Sequence, residues 1–130
     1  VIVLDTHAWL WFTSSPGALP PPARAAIDAS DRIGVPAPAV FEITNLSERG
    51  RIDVGRPITD WVRLALGRAR VESLEVTTDV ALAAGRLPRG EFPGDPIDRL
   101  IYATARVYGT TLVTRDGPIR RYDPRGTIWD

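Results

Sequence analysis

Four carboxylates in this chain of 130 residues could act together: Asp5, Glu42, Asp98 and Asp116. Asp5 follows the apolar run Val-Ile-Val-Leu at residues 1–4, and Asp116 ends Leu112-Val113-Thr114-Arg115-Asp116. Both read as acids at the carboxyl ends of strands, although Asp also favours turns and helix caps at such places. Asp98 lies in Gly94-Asp95-Pro96-Ile97-Asp98-Arg99-Leu100. Proline suits the first helical position, which makes Asp95 the N-cap and Asp98 the third helical residue. Capping accounts for Asp95. Asp98 is free to turn toward the sheet edge, where the positive end of the helix dipole helps hold a carboxylate. Glu42 sits inside a helical pattern beside apolar positions, and on sequence alone it reads first as a boundary residue reaching water.

Packed carboxylates repel one another, and a protein tolerates the arrangement when a cation neutralises it. Hard oxygen ligands select Mg²⁺, with Mn²⁺ as a substitute, over zinc or copper. Such an ion keeps open positions for phosphate, the arrangement used to hydrolyse phosphodiesters with metal-activated water. Other chemistries are excluded by what is missing. There is no cysteine, so disulfides and thiolate metal sites are ruled out. His7 is the one histidine, which excludes a two-histidine zinc site. No Gly-x-Ser-x-Gly elbow accompanies it. Every one of the sixteen basic residues is arginine, so neither a P-loop lysine nor a Schiff-base lysine is available.

The sixteen basic residues balance sixteen acidic ones. A neutral chain does not coat nucleic acid broadly, yet a local arginine-lined groove remains open to it, because guanidinium binds phosphate through paired hydrogen bonds. Coding bias explains most of the arginines equally well. No apolar stretch approaches the ~20 residues needed to span a bilayer. The first residues read as a strand, not a signal peptide, and a cytoplasmic location is expected.

The elements that must position these acids alternate. Residues 1–4 form a strand buried on both faces. Residues 7–12 form a helix rich in Trp9, Trp11 and Phe12, broken by Ser14-Ser15-Pro16-Gly17. Part of that aromatic surface belongs to the core, and the rest suits a dimer or partner contact. The spacing predicts a second helix over 23–30 after Pro20-Pro21-Pro22, a strand over 32–36, and a helix over 38–49 closed by Gly50. Ile58, Trp61, Val62, Ala65, Leu66 and Ala69 mark a helix over 57–69. A strand over 71–76 precedes a helix over 77–86 with Thr77 as its N-cap. Residues 87–94 are a loop. A helix over 95–108 puts Leu100, Ile101, Thr104, Ala105 and Tyr108 on one face and ends at Gly109. Strands follow over 110–114 and 127–129.

This order implies one α/β domain over 1–130, with a mostly parallel sheet of four to five strands flanked by helices. In such a sheet the ligand site lies beyond the carboxyl ends of the strands, where Asp5 and Asp116 emerge.

Four segments together resemble the PIN-domain family, and within it the compact VapC-type toxins. They are Leu4-Asp5-Thr6, with His7 completing Asp-Thr-His; Phe41-Glu42-Ile43; the run from Asp95 through Ala105; and Leu112-Val113-Thr114-Arg115-Asp116. Their order and spacing agree over nearly the whole chain. The resemblance implies a PIN-like three-layer sandwich and a Mg²⁺-dependent endoribonuclease. It also implies a homodimer held inactive by a VapB-type antitoxin. Asp5, Glu42, Asp98 and Asp116 match the family's acidic quartet, used in catalysis and in holding metal. Thr114 matches a hydroxyl position near the last acid, and Thr6 and Asp95 are supporting candidates. Arg99 and Arg115 adjoin the acids, where they could hold RNA phosphates or offset the acidic charge as ion pairs. His7 could touch substrate or make only local helix-start contacts. The chain opens on Val1, so an initiator methionine is expected just before it.

Two other readings stay open beside a nuclease that works in RNA processing outside a toxin pair. A phosphohydrolase with an aspartyl nucleophile could use Asp5, but its usual Asp-x-Asp is replaced by Asp5-Thr6-His7 and its lysine is missing. A receiver-like or protein-binding α/β domain also places acids at strand ends, and a receiver likewise needs a lysine.

Overall fold

The computed structural model describes residues 1–130. Five strands form one sheet: β1 (Ile2–Leu4), β2 (Ile33–Pro36), β3 (Val71–Leu74), β4 (Leu112–Val113) and β5 (Thr127–Ile128). Their spatial order is β3-β2-β1-β4-β5, and every pairing is parallel. Val3, Leu4, Ile33, Val35, Leu112 and Val113 are fully buried, as continuous apolar strands covered on both faces must be. Gly34 in β2 is the close-approach point, because a Cβ there would lie 2.4 Å from Leu74 Cδ1.

Seven helices connect the strands: α1 (Thr6–Ser14), α2 (Pro21–Asp28), α3 (Ala37–Glu48), α4 (Ile58–Leu66), α5 (Thr78–Gly85), α6 (Pro96–Val107) and α7 (Gly117–Tyr122). A short 3₁₀ turn, Pro16–Ala18, ends α1 where the Ser-Ser-Pro-Gly break was expected. Thr77 caps α5 by accepting a hydrogen bond from the Val80 N–H (3.2 Å). Gly50 and Gly109 take φ of 69° and 65°, the left-handed turn that closes α3 and α6.

The expected elements are present, and four details differ. Helix α4 stops at Leu66, leaving Ala69 exposed rather than on its apolar stripe. The chain instead turns through Arg70 at φ 70°, a conformation costly for a residue that carries a Cβ. The Arg70 guanidinium offsets this by donating to the Ser30 carbonyl at 2.6 Å. Strand β3 ends at Leu74, and Val76 lies exposed beyond it. Tyr108 is exposed because it is the C-cap of α6, past the last full turn. Helix α7 was not expected at all. At six residues it is too short for a hydrophobic period, but Asp116-Gly117-Pro118 repeats the acid-then-proline start of α6.

The strand order fixes where a site can form. From β1 the chain builds outward to β2 and β3 on one side, then returns to place β4 and β5 on the other. The connections therefore diverge at the carboxyl ends of β1 and β4, opening a crevice between them. Asp5 leaves β1 at that point, and Thr114, Arg115 and Asp116 leave β4.

Candidate active site

Three of the four acids are delivered by helix starts. Asp5 is the N-cap of α1, and its Oδ1 accepts from the Ala8 N–H at 2.9 Å. Asp116 is the N-cap of α7, and its Oδ1 accepts from the Ile119 N–H at 2.9 Å. Asp95 caps α6, with Oδ1 accepting from Ile97 N–H (2.7 Å) and Asp98 N–H (3.3 Å). Asp98 stands in the first turn of α6 and its carboxylate makes no hydrogen bond. Glu42 projects from the middle of α3 and accepts from the Thr6 hydroxyl.

Asp5, Glu42, Asp98 and Asp116 line one open cleft of about 330 Å³, together with Thr6, His7, Ile101 and Arg115. The expectation that Glu42 simply reaches water is therefore replaced by a half-buried residue facing the other acids. The buried Thr114 hydroxyl is a hinge of this cleft. It accepts from the Asp116 N–H at 3.1 Å and stands close enough to Asp5 to favour its ionised form. Thr6 thus holds Glu42 by a carboxylate oxygen, and Thr114 holds Asp116 by its backbone.

The electrostatics record the crowding. Burial pushes the Asp98 carboxyl up to about 7, and Asp95, Asp116, Glu42 and Asp5 add to the shift by like-charge repulsion. Burial also raises Asp5, while hydrogen bonds from Thr114 and Ala8 and the nearby His7 pull it back. The ion pairs of the protein are Arg32–Glu72, Arg106–Asp123 and Arg120–Asp130, all elsewhere. None of the four carboxylates is in an ion pair, although His7 and Arg115 line the same cleft.

That donor set fits a hard divalent ion. It is all oxygen, it lacks cysteine, and its charge needs a partner. As the side chains stand, no three acids are arranged as a ready cage around one point. Asp98, with no hydrogen bond to break, is the carboxylate most free to turn inward.

The other candidates divide. Arg115 lines the cleft, and its guanidinium lies 4.8 Å from the centre of the Trp11 ring. Arg99 does not line it. Its Nη2 donates to the Leu87 carbonyl (2.6 Å) and its Nη1 to the Pro93 carbonyl (3.3 Å), which braces the 87–94 loop. Asp95 stays outside the cleft lining and acts on Asp98 through charge and through its cap. His7 does line the cleft, edge-on to Trp11 at 6.1 Å. Sequence reasoning assigned Trp11 to packing or a partner contact; the ring does pack against the core, and what was not foreseen is its contact with Arg115. Only the His7/Trp11 spacing of one helical turn could have hinted at a shared face.

Comparison with known proteins bears on the family and the fold. The family described as PIN domain matches residues 2–124. The chain is 38% identical over 130 residues to "Ribonuclease VapC22" of Mycobacterium tuberculosis, covering 98% of each chain. Among solved structures, DNA-bound VapBC from Salmonella typhimurium aligns with a TM-score of 0.72 at 20% identity, covering 98% of this chain and 96% of that one. VapBC2 from Rickettsia felis, bound to a DNA fragment from its promoter, aligns with a TM-score of 0.70 at 16% identity, covering 99% and 98%. At those identities the structures speak for the fold, and the all-parallel five-stranded sheet is the one they share. From its sheet, its full-length relative and the family match over 2–124, the chain belongs to the PIN-domain family.

Proposed function

We propose that this chain is a metal-dependent endoribonuclease and the toxin half of a VapBC-type pair. The observation that carries the reading is the acidic quartet, free of ion pairs, at the β1/β4 crevice, in a chain so similar to a named ribonuclease. Asp5, Glu42, Asp98 and Asp116 would hold Mg²⁺ or Mn²⁺. A bound ion of this kind supplies an activated water and Lewis acidity toward the phosphodiester.

The chain's own residues do the rest. Thr114 holds the start of the Asp116 segment by accepting from its N–H, with Asp5 beside the same hydroxyl. Thr6 fixes Glu42 against α1. Asp98 is left free to turn. The N-caps keep Asp5 and Asp116 from swinging away, so three carboxylates are preorganised and Asp98 can adapt.

A VapB-type antitoxin is the expected partner, because both neighbours named above are VapBC assemblies. A homodimer, one domain over 1–130 and a cytoplasmic site of action complete the proposal. No helix is long and apolar enough to cross a membrane.

The experiment is cleavage of RNA with the ends mapped. Attack by water leaves 5′-phosphate and 3′-hydroxyl ends, and EDTA is expected to reduce cleavage by at least about a hundredfold. Cyclic phosphate ends would mean that the ribose 2′-hydroxyl attacks, and full activity in EDTA would remove the metal from the mechanism.

A further inference from the structure

Arg115 is the one guanidinium that lines the acidic cleft, and it is exposed. It forms no ion pair with the acids around it. It is not loose, however. Its guanidinium is 4.8 Å from the centre of the Trp11 ring, within cation–π range. Trp11 is itself braced on two sides. Trp129 lies 5.6 Å away, and His7, one turn back on α1, meets it edge-on at 6.1 Å. Trp129 is buried, and its carbonyl accepts from the Ala23 N–H at 3.1 Å. The Arg115 backbone follows Thr114, whose N–H donates to the Ile128 carbonyl at 3.1 Å. The edge strand β5 thus secures both the ring cluster and the arginine.

We propose that Trp11 is a positioning residue for RNA binding, holding the Arg115 guanidinium at the cleft mouth to receive a backbone phosphate beside the scissile one. This rests on the ribonuclease reading above. A long side chain that docks on an aromatic face before substrate arrives loses less freedom on binding. A guanidinium stacked on a ring also keeps its N–H edge free for a phosphate's oxygens. Asp5, Glu42 and Asp116 are held by helix caps and a hydroxyl, and no carboxylate pairs with the guanidinium.

The test is a double-mutant cycle read by affinity. Binding of a labelled single-stranded RNA oligonucleotide is measured in Mg²⁺ buffer, with Asp98→Asn in every chain so that the probe survives. Arg115→Ala is expected to weaken binding roughly tenfold. Trp11→Leu is expected to weaken it roughly two- to fivefold, as for an exposed cation–π contact. Trp11→Phe, which keeps a ring face, should stay within about twofold of the parent. Combined with Arg115→Ala, Trp11→Leu should add nothing. In the cleaving protein, Trp11→Leu should raise KM and leave kcat nearly unchanged. Independent, multiplicative effects would overturn the proposal, as would equal damage from Trp11→Phe and Trp11→Leu. Arg115→Lys leaves the ring cluster intact, so it reads the contact even if Trp11→Leu unfolds; full recovery of affinity by lysine would also overturn it. A parent that cleaves no RNA would sink the nuclease reading, while the affinity cycle would still decide the role of Trp11.

Discussion

Asp98→Asn is expected to lower RNA cleavage by about 10³-fold while raising the melting temperature of the metal-free protein. The loss follows if Asp98 helps hold the charge that stabilises the transition state, where one missing group costs about 10²–10³ in kcat. The gain follows from its surroundings. Burial and four neighbouring acids raise its carboxyl from 3.8 to about 7. A carboxyl raised on folding favours the protonated state in the native protein. Its contribution to stability is therefore complete below pH 3.8 and is lost as pH rises toward 7. Because the group is half-exposed, water screens much of this, and about 1–2 kcal/mol is a fair size. Asparagine carries no charge, so at pH 8 without metal the variant should melt about 3–6 °C higher. Adding Mg²⁺ should narrow the gap by stabilising the parent more than the variant. A variant that melts lower at pH 8, or cleaves at the parent rate, would show that Asp98 is not a repelled member of the quartet.

Trp9→Ala should have the largest effect on the fold. Trp9 is fully buried between α1 and the core, with its ring 5.0 Å from that of Trp61. Trp61 is tied down by its indole N–H donating to Ser14 Oγ at 3.0 Å, so it cannot readily collapse into the space. Truncation should cost about 3–5 kcal/mol and lower the melting temperature by roughly 10–20 °C. Trp9→Phe should cost far less. The Trp9 indole N–H is buried without a hydrogen-bond partner, and phenylalanine removes that penalty of about 1–3 kcal/mol. Thermal melts of the two variants check this, and a Trp9→Ala protein melting within two or three degrees of the parent would refute the packing account. Since α1 also carries Asp5, Thr6, His7 and Trp11, loosening it should reach the cleft.

The fold was legible where local signals agree with the global arrangement. Apolar runs at β1 and β2, the Thr77 and Asp95 caps, and Gly50 and Gly109 all act through short-range chemistry that a sequence displays. Helix α7 escaped because six residues cannot show a period. Ala69 was misplaced because the turn at Arg70 depends on a carbonyl of Ser30, far away in sequence. The site divides in the same way. Asp5 and Asp116 could be placed because strand ends are visible in the sequence and a parallel sheet assigns them a side. Glu42 was placed only through the family resemblance, since its partner Thr6 is 36 residues distant. Arg99 and Arg115 look alike as neighbours of acids. Only the folded chain separates one tethered to the Leu87 and Pro93 carbonyls from one stacked on Trp11.

The most direct test of the account is a Mn²⁺ titration of the intact protein, read by the electron paramagnetic resonance signal of free Mn²⁺. The parent should take up the ion, with Mg²⁺ competing, and Asp5→Asn, Asp98→Asn and Asp116→Asn should each weaken uptake by about tenfold or more. A parent that binds no Mn²⁺, or three variants that bind it as the parent does, would contradict the claim that these acids share a divalent ion.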